Sequence, residues 1–504
     1  MSPLNWLLIK QTCGKLLLLE SLFMALATLV SCYGWWAYGE QDTLALAIPT
    51  MLCALLGSML VMGHRQISQR VTQREGYFIV SVMWILFSVI GMLPYLIYGS
   101  CTTVCDAFLE TMSGFTTTGC TVLNNIDDQP HGILLWRSMT QWIGGLGIVV
   151  FSLALLPKIN SGNVQMFSAE VTGMTVDKLR PRIQDTSRRL WFIYIGLTSI
   201  CFFLYLLGGM SVFDGVCHAM TTLATGGFST HQASIGWFHS AFIEYVCAFF
   251  LFIASINFSL FYMVQRGVYR QFWSSEEFRW FVYIVAGFTL IFIIQFFAEP
   301  AHETLTAEQA EALPHGIEAT IRTAFFHVIT IISTCGFQAE NYDYQLWGSA
   351  FWLPTLFLMA CGGCAGSTAG GFKVLRVVIL IKNLFSTLYH SVVPFSFNSV
   401  IFDGRPLRSE FLQRTLAFVF LFFIISFACI MVLMWEGIDM QTAIGTTISA
   451  IGNCGPALGQ TGPAFTWAAL PDLSKWILSF AMLIGRLEIF TFLLLFTRVF
   501  WREK

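Results

Sequence analysis

Apolar residues along this 504-residue chain gather in runs near 16–38, 43–63, 77–99, 132–157, 190–208, 240–264, 280–298, 349–386, 414–435 and 475–499. A helix of about 20 apolar residues crosses the hydrocarbon of a bilayer, so the pattern predicts ten transmembrane helices, the eighth of them interrupted. The first run, Leu16 to Tyr38, follows Lys10 and Lys15 as a secretory signal would. It is longer than an h-region and no small-residue cleavage site follows promptly, so it reads as a first span.

Between the third and fourth, fifth and sixth, seventh and eighth, and ninth and tenth runs lie four segments that align without gaps. They are Asp106 to Cys120 (DAFLETMSGFTTTGC), Asp214 to Phe228 (DGVCHAMTTLATGGF), Thr323 to Phe337 (TAFFHVITIISTCGF) and Thr442 to Pro456 (TAIGTTISAIGNCGP). The fourteenth column holds Gly119, Gly227, Gly336 and Gly455. The twelfth holds Thr117, Thr225, Thr334 and Asn453, and the eighth Ser113, Thr221, Thr330 and Ser449. Each segment is too short to span, which predicts a re-entrant half-helix over its first ten or eleven residues and extended backbone after it. Irregular backbone at membrane depth persists only where protein buries it or water lines it. The chain then divides into a two-span preface (1–75) and four repeats (76–189, 190–279, 280–410 and 411–504).

Composition agrees with an integral membrane protein: 56% hydrophobic and 11% charged residues, with mean hydropathy +0.68, against about 25% charged in soluble domains. Net charge is −2 and no basic stripe occurs, which argues against nucleic acid as a partner. With both termini in the cytoplasm, 23 of the 27 basic residues fall on the inner side, a strong positive-inside bias. The four segments then enter from outside, where Asp127, Asp128, Glu299, Glu303, Glu308 and Glu311 make acidic loops. Such loops raise local cation concentration or are ordinary solvated surface.

A half-helix entering from outside points its negative dipole end at the membrane centre, which favours a cation. Glycine in the fourteenth column permits backbone angles that present carbonyls to an axis. Four such edges around one axis predict a cation filter of main-chain oxygens at Thr117, Thr118 and Gly119, Thr225, Gly226 and Gly227, Thr334, Cys335 and Gly336, and Asn453, Cys454 and Gly455. Close helix packing through the glycines is the simpler alternative. The edges differ, Asn453 to Pro456 most of all, and this predicts good but imperfect K+ over Na+ discrimination.

Further along the path, GGCAGSTAGG (Gly362 to Gly371) puts five glycines in ten residues of the eighth run. A membrane helix does not hold there, at about 1 kcal/mol per glycine, and the stretch reads as an intramembrane loop. Its Cys361 to Cys364 spacing resembles a redox C-x-x-C but suits two buried thiols. Arg486 in LIGRLEIF is a charge within a span, so it faces the bundle or the path; it forms part of a gate, or pairs with Glu488 for packing. Arg137 and Arg322 read as snorkelling anchors, and His218 and His327, both in the fifth column, as packing or hydrogen-bonding groups. Cys101 and Cys105 fall on a predicted outer loop and could pair, given the geometry that a disulfide needs.

SGFTTTG, TLATGGFST, ISTCGFQ, IGNCGP, GGCAGSTAGGFKVLR and GRLEIF resemble the Trk/Ktr/HKT superfamily of potassium transporters, most closely the bacterial Trk-type uptake subunit, from about residue 40 onward. The resemblance implies an all-α membrane protein of about ten helices, with four M1-P-M2 repeats around one pseudo-fourfold pore and two extra N-terminal helices. It implies that the four column glycines form the filter. The gate would comprise Gly362, Gly363, Gly366, Ser367, Thr368, Gly370 and Gly371, with Arg486 blocking the path below the filter. It further implies a multi-pass homodimer in the bacterial inner membrane, attached to cytosolic RCK-type regulatory subunits that bind NAD or ATP. This chain has no Walker A or strand-anchored G-x-G-x-x-G, so no cofactor is expected on it and nucleotide belongs to that partner. K+ is then cargo, moved by a gated channel-like pore or, alternatively, by symport with H+ or Na+. A membrane oxidoreductase using CGGC or the histidines is a reading of another class, and the sequence offers it no facing histidine pair or carboxylate dyad.

Overall fold

The computed structural model describes residues 4–62, 72–155, 183–298, 313–314, 316–339, 344–393 and 400–502. Arg65, Arg70, the basic residues from Lys158 to Arg182, and Glu299, Glu303, Glu308 and Glu311 lie outside the described residues.

Two helices lead, α1 (Trp6–Tyr38) and α2 (Thr43–Val61). The first begins ahead of its apolar run because Asn5 caps it, accepting from the Leu8 amide at 3.1 Å. The pair crosses where Gly14 meets Gly57: a Cβ on either would come within 3.0 Å of the other's carbonyl, the close approach that small residues give membrane helices.

One order of elements then recurs. First come α3 (Gln73–Gly91), the short α4 (Val104–Phe115) and α5 (His131–Leu155). Next are α6 (Ile183–Leu207), the short α7 (Val212–Leu223), and α8 (Ala241–Ala254) with α9 (Phe258–Gln265). The third set is α10 (Glu276–Ala298), α11 (Ile317–Ile332), and α12 (Trp352–Cys361) with α13 (Val374–Val392). The last is α14 (Ser409–Trp435), α15 (Met440–Gly452), and α16 (Asp472–Arg486) with α17 (Phe490–Leu493). A two-residue hairpin, Ile401–Phe402 against Arg405–Pro406, precedes α14.

Among the described residues six helices are long and apolar enough to cross a membrane, or eight if each of two bent pairs is one span. Of the other two apolar runs, the described part of 132–157 lies in α5, with a non-helical Gly147, and 349–386 is interrupted as its glycines predict. The sixth and tenth runs differ from expectation, since α8/α9 bends by 88° and α16/α17 by 108°. The α16 break has a backbone cause in Glu488 and Ile489, both at positive φ, where L-residues are strained.

The long helix α14 turns Phe420 and Phe427 outward, each 66% exposed, as a lipid-facing helix does. Among the described residues two buried clusters fill the interior. One joins the first and last sets through Phe115, Trp136 and Met482, and the other joins the middle sets through Tyr194, Trp347 and Phe351.

Candidate functional site

Each short helix stops at the same place in its segment. α4, α7 and α11 end at the tenth column (Phe115, Leu223 and Ile332), and α15 ends one residue later at Gly452. Three begin alike as well, with Thr103, Ser211 and Asp439 capping by accepting from the first-column amides of Asp106, Asp214 and Thr442. In α11 the helix instead extends one turn further, back to Ile317.

The turn that leaves each helix is identical. The twelfth-column residues Thr117, Thr225, Thr334 and Asn453 all lie in the left-handed region, at φ 53°, 52°, 56° and 56°. The thirteenth-column amides of Thr118, Gly226, Cys335 and Cys454 donate to the eighth-column carbonyls of Ser113, Thr221, Thr330 and Ser449 at 2.8–3.0 Å. The glycines then take φ 85°, 83°, 78° and 94°.

These turns close on one another in order. A side chain on Gly119 would stand within 3.0 Å of the Gly226 carbonyl oxygen, one on Gly227 within that distance of Cys335, one on Gly336 of Cys454, and one on Gly455 of Thr118. Four segments from distant parts of the chain thus form one ring. At every step a thirteenth-column carbonyl fills the space that a Cβ would need, so glycine is required by contact as well as by φ.

Fifth-column side chains brace the ring from behind. Glu110 accepts from the Val122 amide at 2.9 Å and from Thr121 Oγ1 at 3.0 Å. His218 bonds Ser229 Oγ at 2.9 Å, His327 bonds Thr355 Oγ1 at 2.9 Å, and Thr446 bonds Thr461 Oγ1 at 2.6 Å. The two histidines therefore do the hydrogen-bonding work expected of them. The braces are unequal elsewhere: Ser113 Oγ and Thr330 Oγ1 pin the fifteenth-column carbonyls of Cys120 and Phe337, whereas Ser449 Oγ has no hydrogen-bond partner among the described residues. Gln141, which the sequence did not single out, donates to the Gly226 carbonyl at 2.6 Å and accepts from the Phe228 amide at 3.0 Å.

Arg137 is not a snorkelling anchor. It is 2% exposed, pairs with Glu110 at 2.7 Å, donates to the Ser229 carbonyl at 2.8 Å and lies 3.7 Å over the Phe228 ring. A guanidinium of this kind is stabilised by its partners, since a buried charge without them is costly. Arg322 likewise is paired, with Glu244 and with Glu318 at 3.0 Å.

On one side of the ring lies a cavity of about 60 Å³ that touches Gly119, Gly227, Gly336 and Gly455 as well as Arg137 and His231. His231 bonds Asp127 at 2.8 Å, approaches Asp214 at 3.5 Å and stacks on Trp237. Burial alone would lower its imidazole, but the hydrogen bonds to Asp214 and Asp127 outweigh that and hold it above its ordinary value. For Asp214, desolvation would raise the carboxyl, yet hydrogen bonds from His231, Thr230 and Ser211 hold it below the usual carboxylate range.

On the other side, all four helices that follow the ring segments break, and the breaks bind one another. At the α8/α9 break the carbonyls of Ala254 and Ser255 accept from the Thr368 and Cys364 amides, and the Phe258 amide donates to Gly366. The glycine-rich segment therefore supplies the hydrogen bonds that the interrupted helix lacks. Its Gly370 amide donates to Thr334 Oγ1 at 2.6 Å, and Thr225 Oγ1 meets Thr368 Oγ1 at 3.3 Å, so it sits directly against the twelfth column. Arg486 donates to the Thr368 carbonyl at 2.9 Å and to the carbonyls of Gly144 and Gly145, just ahead of the non-helical Gly147. One guanidinium thus ties the α16 break to the α5 break and to the glycine-rich segment. Glu488, the packing partner considered for Arg486, is ion-paired with Arg376.

The cysteines are all free thiols, including Cys101 and Cys105 and the buried Cys361 and Cys364. Among the described residues no group of three or more His, Cys, Asp or Glu side chains gathers to hold a metal.

The chain is similar to known proteins over nearly its whole length. Residues 44–502 match the TrkH family model, described as a cation transport protein. The Trk system potassium uptake protein TrkH of Escherichia coli K12 is 37% identical over 89% of this chain and 90% of its own length. TrkG of the same organism is 32% identical over 97% and 98%. The crystal structure of the potassium transporter TrkH from Vibrio parahaemolyticus superposes with TM-score 0.86 at 30% identity, over 99% of this chain and 100% of that one.

Proposed function

Since the chain belongs to the TrkH family of cation transport proteins, a family of transporters and not of enzymes, we propose that it carries potassium into the bacterial cell through one gated, channel-like path. The observation that carries this reading is the closed ring, in which each column glycine abuts the thirteenth-column carbonyl of the next segment. Carbonyls held in a ring replace the hydration shell of a monovalent cation, and four short helices bring their negative ends to it.

In this reading Thr117, Thr118, Gly119, Thr225, Gly226, Gly227, Thr334, Cys335, Gly336, Asn453, Cys454 and Gly455 form the filter, in four M1-P-M2 repeats after a two-helix preface. The narrow cavity above is the outer mouth. In this reading the segment from Gly362 to Gly371 with Arg486 is the gate in its closed form, which the three carbonyl contacts of the guanidinium support. Conduction requires Arg486 to leave at least one of them.

The bias of basic residues in the sequence, 23 of 27 on the inner side in this orientation, supports a cytoplasmic position for both termini in an inner membrane. The relatives' names speak of a Trk system, which supports further components: a second copy of this chain and cytosolic nucleotide-binding subunits that pull on the gate, with no cofactor on this chain itself. The test is 86Rb+ and K+ flux into liposomes holding the purified chain, with and without that partner and nucleotide. Flux that follows the K+ gradient alone supports a pore, a reversal potential that shifts with pH or Na+ supports symport, and absence of any monovalent cation flux contradicts the transport reading.

A further inference from the structure

A cavity of about 510 Å³ adjoins the glycine-rich segment at Ala365 and Lys373 and touches none of the ring residues. Its wall carries Lys373, Arg376 and Arg414 against one carboxylate, Glu488, and the aromatic rings of Phe411 and Phe418. Glu488 is committed to Arg376, and that guanidinium also lies 3.9 Å over the Phe418 ring. Lys373 donates to the Ala369 carbonyl, and no carboxylate lies within ion-pair distance of it among the described residues. Arg414 is exposed, on the same helix as the outward-facing Leu416, Phe420, Phe423 and Phe427.

We propose that this cavity binds the phosphate of an anionic phospholipid from the bilayer leaflet on that face. An excess of cations partly removed from water favours an anion. The apolar walls and the lipid-facing surface of α14 suit an acyl chain beside it, as in basic pockets between membrane helices that take acidic head groups. The site also adjoins the gate. Lys373 sits at φ 73°, a strained angle for a lysine, and its ammonium holds Ala369 inside the glycine-rich segment. A phosphate that draws Lys373 away loosens that segment, so anionic lipid should raise flux; this consequence rests on the transport reading, while the binding does not.

Native mass spectrometry of the full-length protein in detergent, titrated with phosphatidylglycerol or phosphatidylcholine, tests the binding. A saturable phosphatidylglycerol adduct in excess of phosphatidylcholine is expected. Arg414→Ala should weaken it about fivefold, the worth of one basic residue near a membrane surface, and Arg414→Lys should restore it. Because Arg414 is exposed, these variants should fold. Equal adducts for the two lipids, no response to Arg414→Ala, or displacement by millimolar inorganic phosphate would overturn the lipid assignment. In liposomes, flux that rises with phosphatidylglycerol content in wild type and less so in Arg414→Ala supports the coupling to the gate, and flux indifferent to lipid charge overturns it.

Discussion

Arg486 Nη1 lies 2.9 Å from the carbonyl oxygen of Thr368, which joins a helix break near the end of the chain to a glycine-rich segment more than a hundred residues earlier. Hydrogen bonds from charged donors contribute about 1.5–3 kcal/mol each. Loss of the guanidinium should therefore favour an open path by a factor of about ten or more. Arg486→Ala in liposomes is expected to raise basal Rb+ flux without nucleotide, and unchanged or lower flux from a folded variant would remove Arg486 from the gate.

The buried pair Glu110–Arg137 braces the first edge of the ring. Breaking one partner of such a pair costs about 3–5 kcal/mol. Glu110→Gln is expected to lower the unfolding temperature and reduce flux, and the double variant Glu110→Gln, Arg137→Met to recover part of the stability. Thermal unfolding of the single and double variants reads this directly; additive losses would mean the two side chains act separately.

The four edges should respond unequally. Thr330→Val removes a bond to the Phe337 carbonyl, whereas Ser449→Ala removes a hydroxyl with no partner among the described residues. About 1 kcal/mol is expected from the first and near zero from the second, with K+ over Na+ discrimination falling only for Thr330→Val. Bi-ionic potentials distinguish the two, and equal effects would show that the hydroxyl bond does not set the edge.

The mouth should be pH-sensitive. The imidazole of His231 is raised above its ordinary value by Asp214 and Asp127, so its stabilising contribution is complete below about 6.5 and is lost as pH rises through the higher folded value. Thermal stability followed from pH 6 to 9 should therefore decline on the alkaline side, and the decline should be smaller in His231→Gln. An identical pH profile in that variant would assign the effect to other groups.

Much of the ring was legible in the sequence because its constraint is local. The tenth-column helix ends at Phe115, Leu223 and Ile332 follow from the Thr-x-Gly turn after them, since a left-handed pair of residues cannot continue a helix. The fifth column was half visible. His218 and His327 share it with Glu110 and Thr446, and four polar residues in one column of apolar helices was the signal for the braces. The breaks were harder to see. Only Gly362 to Gly371 advertises itself; Ser255 to Asn257 and Arg486 to Ile489 sit in continuous apolar runs, and Gly147 lies in IGGLGI. Hydropathy averages over such points, while the break depends on carbonyls finding donors from another part of the chain. Arg137 misled for the same reason, because a cation near a span's end reads as an anchor until its distant carboxylate is in place.

If K+ passes through the ring formed by Gly119, Gly227, Gly336 and Gly455, Gly336→Ser should disturb its selectivity. The serine must adopt a left-handed angle, at about 1–3 kcal/mol, and its Cβ meets the Cys454 carbonyl and Pro456. The reversal potential under opposed K+ and Na+ gradients is the measurement. A fall of about tenfold in K+ over Na+ selectivity, with the protein still folded and conducting, is the predicted result; wild-type selectivity in Gly336→Ser would contradict the ring as the filter.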